Sequence, residues 1–394
     1  MSETFVYTQL QSQSDLDQAV FTRRRMNASL FPFAPVSVDA VGRYASALVR
    51  RLPAGIPVSD PYPRRLARRL RPFQPDVIHA HFGWAAIDAP FSSSELSIPL
   101  IATLHGADVY APESAVPGMP GSYEELFATG TLFTCVGPSA AAELAERGCP
   151  GDRIRLVPVG IDLARFGFAP SQRQDTLVLL HVGRLVPKKG TEIAIRAFAQ
   201  AQPALGNSEL WVVGDGPQRE TLAQLTAELG VADCVTFWGA QPQPEVRRLM
   251  SKAHIGVQPS QVAPDGDREG TPTVILEMEA SGVDVVATRH SDIPFIVPRP
   301  DDLHGEGDVA GLADELVRRV GLSRCQRDER LIEARRFVEG RHDATRIARQ
   351  LGEIYAEAIA SGPRRRPNEI GRLEPEGWSA AVKDQSADSG RVPE

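Results

Sequence analysis

Lysine is nearly missing from this chain: of 43 basic residues only Lys188, Lys189, Lys252 and Lys383 are lysine, and two of them are adjacent. In a chain that otherwise uses arginine, a Lys-Lys pair singles out its segment, because lysine offers a compact point charge and arginine a planar fork. Cysteine is scarce as well. Cys135, Cys149, Cys234 and Cys325 are scattered without CxxC spacing, so neither a zinc site nor a disulfide framework is indicated. Reduced thiols in a cytosolic protein are the expectation. No run reaches the roughly 18 apolar residues of a membrane span, and the start lacks the basic-then-apolar pattern of a signal peptide. A formal charge of −7 argues against general nucleic-acid binding. With 394 residues, 42% hydrophobic and 24% charged, the chain is too ordinary in composition to be largely disordered. Its length calls for two domains of about 150 to 200 residues.

What is present is an alternation. Short runs rich in Val, Ile and Leu read as strands at 76–80, 100–104, 132–136, 154–157, 176–182, 209–213, 235–238, 254–258 and 283–288. Many are too continuous for a sheet wetted on one face, which indicates parallel strands covered on both. Amphipathic segments at 191–201, 218–229 and 244–253 lie between them, giving the pattern of doubly wound α/β domains. Polar and turn-forming residues at 164–175 suggest a boundary. The expected division is a domain over 1–165, a second over 175–340, a last helix over 341–360 and a disordered tail over 361–394. The beginning is unusual: SETFVYTQLQ reads as a capped helix before a short strand at 18–22, where such a domain normally opens with a hydrophobic strand. The first strand is missing from the pattern.

Several segments carry candidate chemistry. In EGTPTVILE (269–277), Thr271 is a suitable N-cap and Pro272 suits the first helical position. A helix N-terminus suits a phosphate. Glu277, roughly 7–8 Å further along the axis, fits a carboxylate that accepts bonds from ribose hydroxyls, while Glu269 precedes the helix. The other reading is an ordinary capped helix with two surface glutamates. In HVGRLVPKKG, Gly183 permits a tight turn at a strand end, and Arg184 and Lys189 follow before a helix. A positive loop there can clamp a diphosphate, or can be merely solvated. VGDGP (213–217) is not the GxGxxG fingerprint and reads as a compact strand-to-helix turn.

His79 and His81 share one strand face. No third ligand with fitting spacing follows, so structural roles are expected. His105 lies just past a strand and before Gly106, a position suited to an active-site crevice; Asp108 shares that pocket or caps the next segment. Asp265-Gly266-Asp267 matches a metal-binding D-x-D formally but reads as a loop. Residues 21–75 hold eleven Arg against Asp39 and Asp60. PRRLARRL (63–70) within them looks like a basic helix that could meet an anionic membrane or simply be a solvated face.

Together these motifs resemble the GT4-type retaining glycosyltransferases of the GT-B fold. EGTPTVILE is similar to their E-x7-E motif, GRLVPKKG to their G-R-L-x-x-x-K-G loop and VGDGP to their G-x-G-P turn. VGPSAAAELAERGCPGDRIRLVPVGID resembles the end of their N-terminal domain, and DVIHAHFG with TLHGAD its acceptor-side crevice. The resemblance covers about residues 2–360 and is nearest to members that build exopolysaccharide or lipid-linked oligosaccharide. It implies two Rossmann-like domains facing across a cleft, with the last helix packing back across it. It also implies transfer of a sugar from a nucleotide-sugar donor to a saccharide or lipid-linked acceptor, without metal or cofactor, in the cytoplasm or at the inner membrane face. Arg184 and Lys189 would neutralise the diphosphate, backbone N–H groups near Gly270, Thr271 and Thr273 would meet the phosphates, and Glu277 would hold the ribose. Glu269 would face the sugar hydroxyls and His105 would approach the sugar, with Asp108 on the acceptor side. Two features depart from the family: the absent first strand, and Ser291, Asp292 and Phe295 where Gly-Gly and a Glu are common. A sugar-nucleotide epimerase of this fold is disfavoured by the absence of that family's own motifs. A GT-B protein that binds a nucleotide or partner without turnover is the alternative of a different class.

Overall fold

The computed structural model describes residues 4–23, 25, 28–29, 31–39, 62–110, 123–171 and 176–363. Two compact units result, and the second is built essentially from Pro158–Ile347. The units part at Val157 and Pro158, earlier than the polar 164–175 segment suggested. The reason is packing: Ile161 and Phe166 are buried in the core of the second unit.

In the N-terminal unit, helix α1 (Thr4–Ser12) precedes strands β1 (Val20–Thr22) and β2 (Val36–Val38), which pair with each other in parallel. Helix α2 (Tyr62–Leu70) leads to β3 (Ile78–His81), followed by α3 (Ala89–Leu96), β4 (Leu100–Leu104), β5 (Leu132–Cys135), α4 (Pro138–Glu146) and β6 (Ile154–Leu156). Strands β3 to β6 form one parallel sheet in chain order. Among the described residues no strand joins β1 or β2 to β3. Strands β4 and β5 are wholly buried, whereas every residue of β3 is half-buried.

The arginines of this unit are largely engaged. Arg65 makes a bidentate pair with Asp39 at 3.0 Å, Arg69 reaches Asp39, Ser37 and the Val38 carbonyl, and Arg71 pairs with Glu95. Arg64 and Arg68 remain exposed on α2. Arg24, Arg43, Arg50, Arg51 and Asp60 lie outside the described residues, as does the tail from 364 onward.

The C-terminal unit is regular. Strands β7 (Leu177–Val182), β8 (Ser208–Val213), β9 (Val235–Gly239), β10 (Ile255–Gln258) and β11 (Asp284–Ala287) form a parallel sheet in the order β11-β10-β7-β8-β9. Helices α5 (Thr191–Leu205), α6 (Arg219–Glu228), α7 (Gln243–Met250), α8 (Thr273–Ser281), α9 (Val309–Gly321) and α10 (Arg324–His342) complete it. Alternation along β7 sends Leu177 and Leu179 into one apolar core with α5 and α9, and Val178 and Leu180 into another with α7 and α8. Both faces are therefore covered, which explains why the strand sequences lack polar alternation.

The last helix is α11 (Ala344–Ser361). From Ala348 onward it belongs to the N-terminal unit, within which Tyr355, Glu357 and Gln350 bond to His79, Arg155 and the Leu156 carbonyl.

Candidate active site

Strands β7 and β10 are neighbours, yet the chain runs from β7 outward through β8 and β9 before returning to β10 and β11. Such a reversal opens a crevice at the carboxyl ends of the two central strands. Two loops leave there, 183–190 after β7 and 259–272 after β10. Their closeness requires glycine. Gly190 has φ 64°, and a Cβ on it would lie 1.8 Å from the Pro259 carbonyl oxygen. Gly214, at φ 143°, would place a Cβ 1.8 Å from the Gly183 oxygen. VGDGP is a brace for the first loop: Gly183 N donates to the Val213 carbonyl at 2.9 Å and Leu185 N to that of Asp215 at 3.0 Å.

The lysine pair divides its work. Lys189 Nζ donates to Glu269 Oε2 at 2.7 Å, bringing together two residues singled out in different motifs. Buried Lys188 instead donates to Asp267 Oδ1 at 3.0 Å and to the Arg268 carbonyl at 3.3 Å, and lies 3.7 Å from Glu269 Oε1. Asp265 accepts from the Asp267 amide at 3.1 Å, so the D-G-D segment is a self-bonded loop held by Lys188. Burial alone would push the Glu269 carboxyl up; the charges of Lys189 and Lys188 outweigh it and hold the group below its ordinary range. The Arg184 guanidinium is exposed and makes no ion pair among the described residues.

Helix α8 begins one residue later than expected. Pro272, not Thr271, is its N-cap, and no side chain takes the helix's first N–H groups. Thr271 stands one position too early to cap, and its Oγ1 is buried with no partner among the described residues. The start of α8 therefore carries no side-chain cap among the described residues, and an uncapped helix start is the kind that suits an anion. The helix ends as expected at Gly282, whose φ is 88°. Glu277, one turn in, is half-buried; desolvation pushes its carboxyl up to about 7 against the opposing charge of Arg247.

A second cluster belongs to the N-terminal unit. His105 Nε2 lies 3.2 Å from His81 Nδ1, and the rings stack at 5.5 Å between centroids. Phe5 of α1 and Phe82 pack on the same imidazole at 4.7 and 4.6 Å. Its Nδ1 is buried without a partner among the described residues. Burial first, and neighbouring His79 second, lower the His105 imidazole to about 3, so it is neutral at ordinary pH. His79 is committed elsewhere, with its nitrogens 2.8 Å from the Tyr355 hydroxyl and 2.6 Å from Thr103 Oγ1. Asp108 is buried and accepts from the backbone N–H groups of Gly83, His105 and Gly106 at 2.9, 3.0 and 2.9 Å. Its carboxylate therefore shapes the turn that carries His105.

Sequence reasoning expected only a structural role for His81 and left Tyr355 and His290 out of these clusters. His81 could have been linked to His105 from the i, i+2 spacing of HAH beside a neighbouring strand end. Tyr355 and His290, whose Nε2 accepts from the Glu269 amide at 3.0 Å, had no local signal.

Comparison with known proteins agrees with the fold and motifs. Residues 3–165 match the model of the family described as Glycosyltransferase Family 4, and residues 176–320 that of Glycosyl transferases group 1. The putative colanic acid biosynthesis glycosyltransferase WcaL of Escherichia coli (strain K12) is 32% identical over 72% of this chain and 71% of its own. The amylovoran biosynthesis glycosyltransferase AmsK of Erwinia amylovora is 31% identical over 74% and 72%. Among solved structures, Anabaena HepE in complex with UDP-glucose superposes with a TM-score of 0.70 at 20% identity, over 90% of this chain and 95% of that one. That likeness shows the fold, GT-B with Rossmann-like domains, and the relatives show the family. The chain belongs to the family 4 glycosyltransferases.

Proposed function

We propose that the protein is a retaining hexosyltransferase that moves a sugar from a nucleotide-sugar donor to a saccharide or lipid-linked acceptor in polysaccharide synthesis. The observation that carries this reading is the Lys189–Glu269 pair at the β7/β10 crevice, beside the uncapped start of α8. Arg184 and Lys189 supply positive charge for the departing diphosphate, the role a metal ion plays in other transferases, and the N–H groups at Gly270, Thr271 and Thr273 add dipoles. A diphosphate competes with Glu269 for the Lys189 ammonium, and the released carboxylate then accepts bonds from sugar hydroxyls. Glu277 receives the ribose. His105, being neutral, serves as a hydrogen-bonding group to the sugar rather than as a general acid, which would need a pKa near the working pH. Asp108 acts through the His105 turn.

The relatives' names point to exopolysaccharide synthesis, and the donor in the HepE structure is UDP-glucose. None of the described helices is long and apolar enough to cross a membrane; work at the inner membrane face would rest on Arg64 and Arg68 of α2. The test is release of nucleoside diphosphate from a panel of UDP- and GDP-sugars with wild type, Glu269→Ala and Lys189→Ala. Donor-dependent release by wild type and its loss in both variants are expected. Absence of release by wild type across the panel sinks the transferase reading, and equal release by all three sinks the residue roles.

A further inference from the structure

The loop that carries Glu269 is closed at its neck by two residues that come from elsewhere in the C-terminal unit. Glu306, in the segment before α9, uses both carboxylate oxygens. Oε2 accepts from the Val262 amide at 2.8 Å, and Oε1 lies 2.6 Å from His290 Nδ1. His290 follows β11 and is fully buried; its Nε2 accepts from the Glu269 amide at 3.0 Å, with Ser291 Oγ 3.2 Å from the same nitrogen. The backbone N–H fixes the tautomer. Because Glu269 N–H is a donor, Nε2 must be the unprotonated nitrogen, so Nδ1 carries the proton and donates to Glu306.

One carboxylate thus grips the loop at Val262 directly and at Glu269 through an imidazole. Between those points the loop closes on itself, with Ala263 N donating to the Asp267 carbonyl at 2.8 Å and Gly266 N to that of Ala263 at 2.9 Å. The neck itself has no backbone pair of that kind. Lys188 ties both sides of the neck to the first loop, its carbonyl accepting from Gln261 N at 3.0 Å and its Nζ donating to the Arg268 carbonyl at 3.3 Å, and the Glu306–His290 pair links Val262 to Glu269 across it.

We propose that Glu306 and His290 are positioning residues: a pair of one solvent-accessible carboxylate and one buried imidazole that buckles the 262–269 loop and holds Glu269 in register with Lys189. The part of this inference that concerns sugar transfer rests on the function proposed above; the buckle does not. Neither residue touches the Glu269 carboxylate through its own hydrogen bonds, so both act through the backbone.

The test is amide hydrogen exchange of the full chain, paired with donor kinetics. In Glu306→Ala, exchange at Val262 and at Glu269 should each accelerate by on the order of tenfold, the effect of one lost hydrogen bond, while β7 and β10 keep their protection. Glu306→Gln carries one acceptor in place of two and should release one of the two amides only. His290→Phe should free Glu269 and leave Val262 protected. His290→Gln, which can offer a carbonyl oxygen near the Nε2 position, should restore protection at Glu269, a rescue that a merely space-filling role does not provide. Unchanged exchange at both amides in Glu306→Ala overturns the buckle. Loss of protection across the β7 and β10 amides in His290→Phe and His290→Gln alike also overturns it, by showing a general core role. With an active donor, Glu306→Ala should raise the donor KM about tenfold with little change in the acceptor KM. Accelerated exchange without any kinetic change upholds the buckle and overturns instead the assignment of Glu269 as a donor contact.

Discussion

The two units use a parallel sheet in different ways. In the C-terminal unit one five-stranded sheet reverses its order between β7 and β10, and Arg184, Lys189 and Glu269, the residues proposed to meet the donor, stand on loops from those two strands. Among the described residues of the N-terminal unit the strands fall into sheets of two and four, and β3, which leads into the histidine cluster, lies at an edge with half-buried residues. There His105 is held by ring packing with Phe5 and Phe82 and stacks on His81, and His79 is held by Tyr355 of α11. Continuity of the sheet positions one cluster; side-chain packing from distant segments positions the other. The C-terminal site should accordingly respond to loss of single charges, and the N-terminal site to loss of contacts.

The largest effect is expected at Lys189. Lys189→Ala removes the ammonium paired with Glu269 at 2.7 Å and the positive charge beside the α8 start. By analogy with the loss of one preorganised electrostatic donor, kcat/KM should fall by about 10²- to 10³-fold. Lys189→Arg should recover only part of this, since a planar guanidinium does not replace a point charge in a narrow loop. Recovery to wild-type rates would break the argument from lysine scarcity. Steady-state kinetics on both variants decides it.

The sheets themselves can be compared by amide exchange. Ile78 and Phe82 donate toward β4, so alternation directs the N–H groups of His79 and His81 to the other edge, where no strand among the described residues pairs. These amides should exchange by local opening, about a hundredfold faster than those of Leu179 and Leu180, whose strand is paired on both sides. Equal protection would show that β3 has a covering partner and would remove the contrast between the units.

At His105 the expected effect is moderate. With the imidazole lowered to about 3, kcat should be flat with respect to this group from pH 5 to 8. His105→Ala should reduce kcat about tenfold through loss of one hydrogen bond. Phe5→Ala should lower it as well, by loosening the ring. A titration near pH 6.5 that vanishes in His105→Ala would show instead that the ring is solvated and acts in proton transfer.

Much of this was legible in sequence, for identifiable reasons. The strands were, because residues such as Leu177 to Leu180 are buried on both faces and cannot alternate with polar ones. The glycines of VGDGP marked a turn because their backbones abut other backbones, which no Cβ permits; Gly190, under the same constraint against Pro259, was not singled out. Lys189 stood out against the arginines, but the division of labour with Lys188 did not, since it depends on Asp267 and Glu269, some eighty residues away. The helix start was misplaced by one residue because Thr271-Pro272 satisfies a local capping rule, while the fold leaves the Thr271 hydroxyl buried and uncommitted. The basic patch read as one surface, yet Asp39 takes up Arg65 and Arg69. Pairings across distant segments have no local signature, and Glu306 with His290 is the clearest case.

Glu277 gives the smallest and most specific test, because its two consequences have opposite signs. Its carboxyl is pushed up to about 7 by desolvation, from an ordinary value of 4.5. The native state thus binds this proton more tightly than the unfolded chain does, so stability is lost as pH rises from about 4.5 to 7, and the full penalty stands above that. Ribose hydroxyls donate to an ionised carboxylate more strongly than to a neutral one. Donor affinity should therefore rise through pH 7 while stability falls. Glu277→Gln removes both responses. It should raise Tm by roughly 2–4 °C at pH 8, as about 1 kcal/mol does in a unit of this size, with little change at pH 5. The same variant should flatten the pH dependence of the donor KM and weaken binding at pH 8 by about tenfold. A variant with lower Tm at pH 8 would mean that Arg247, the opposing charge, outweighs burial, and that the donor-side unit carries Glu277 as an ion pair rather than as a desolvated acid awaiting its ligand.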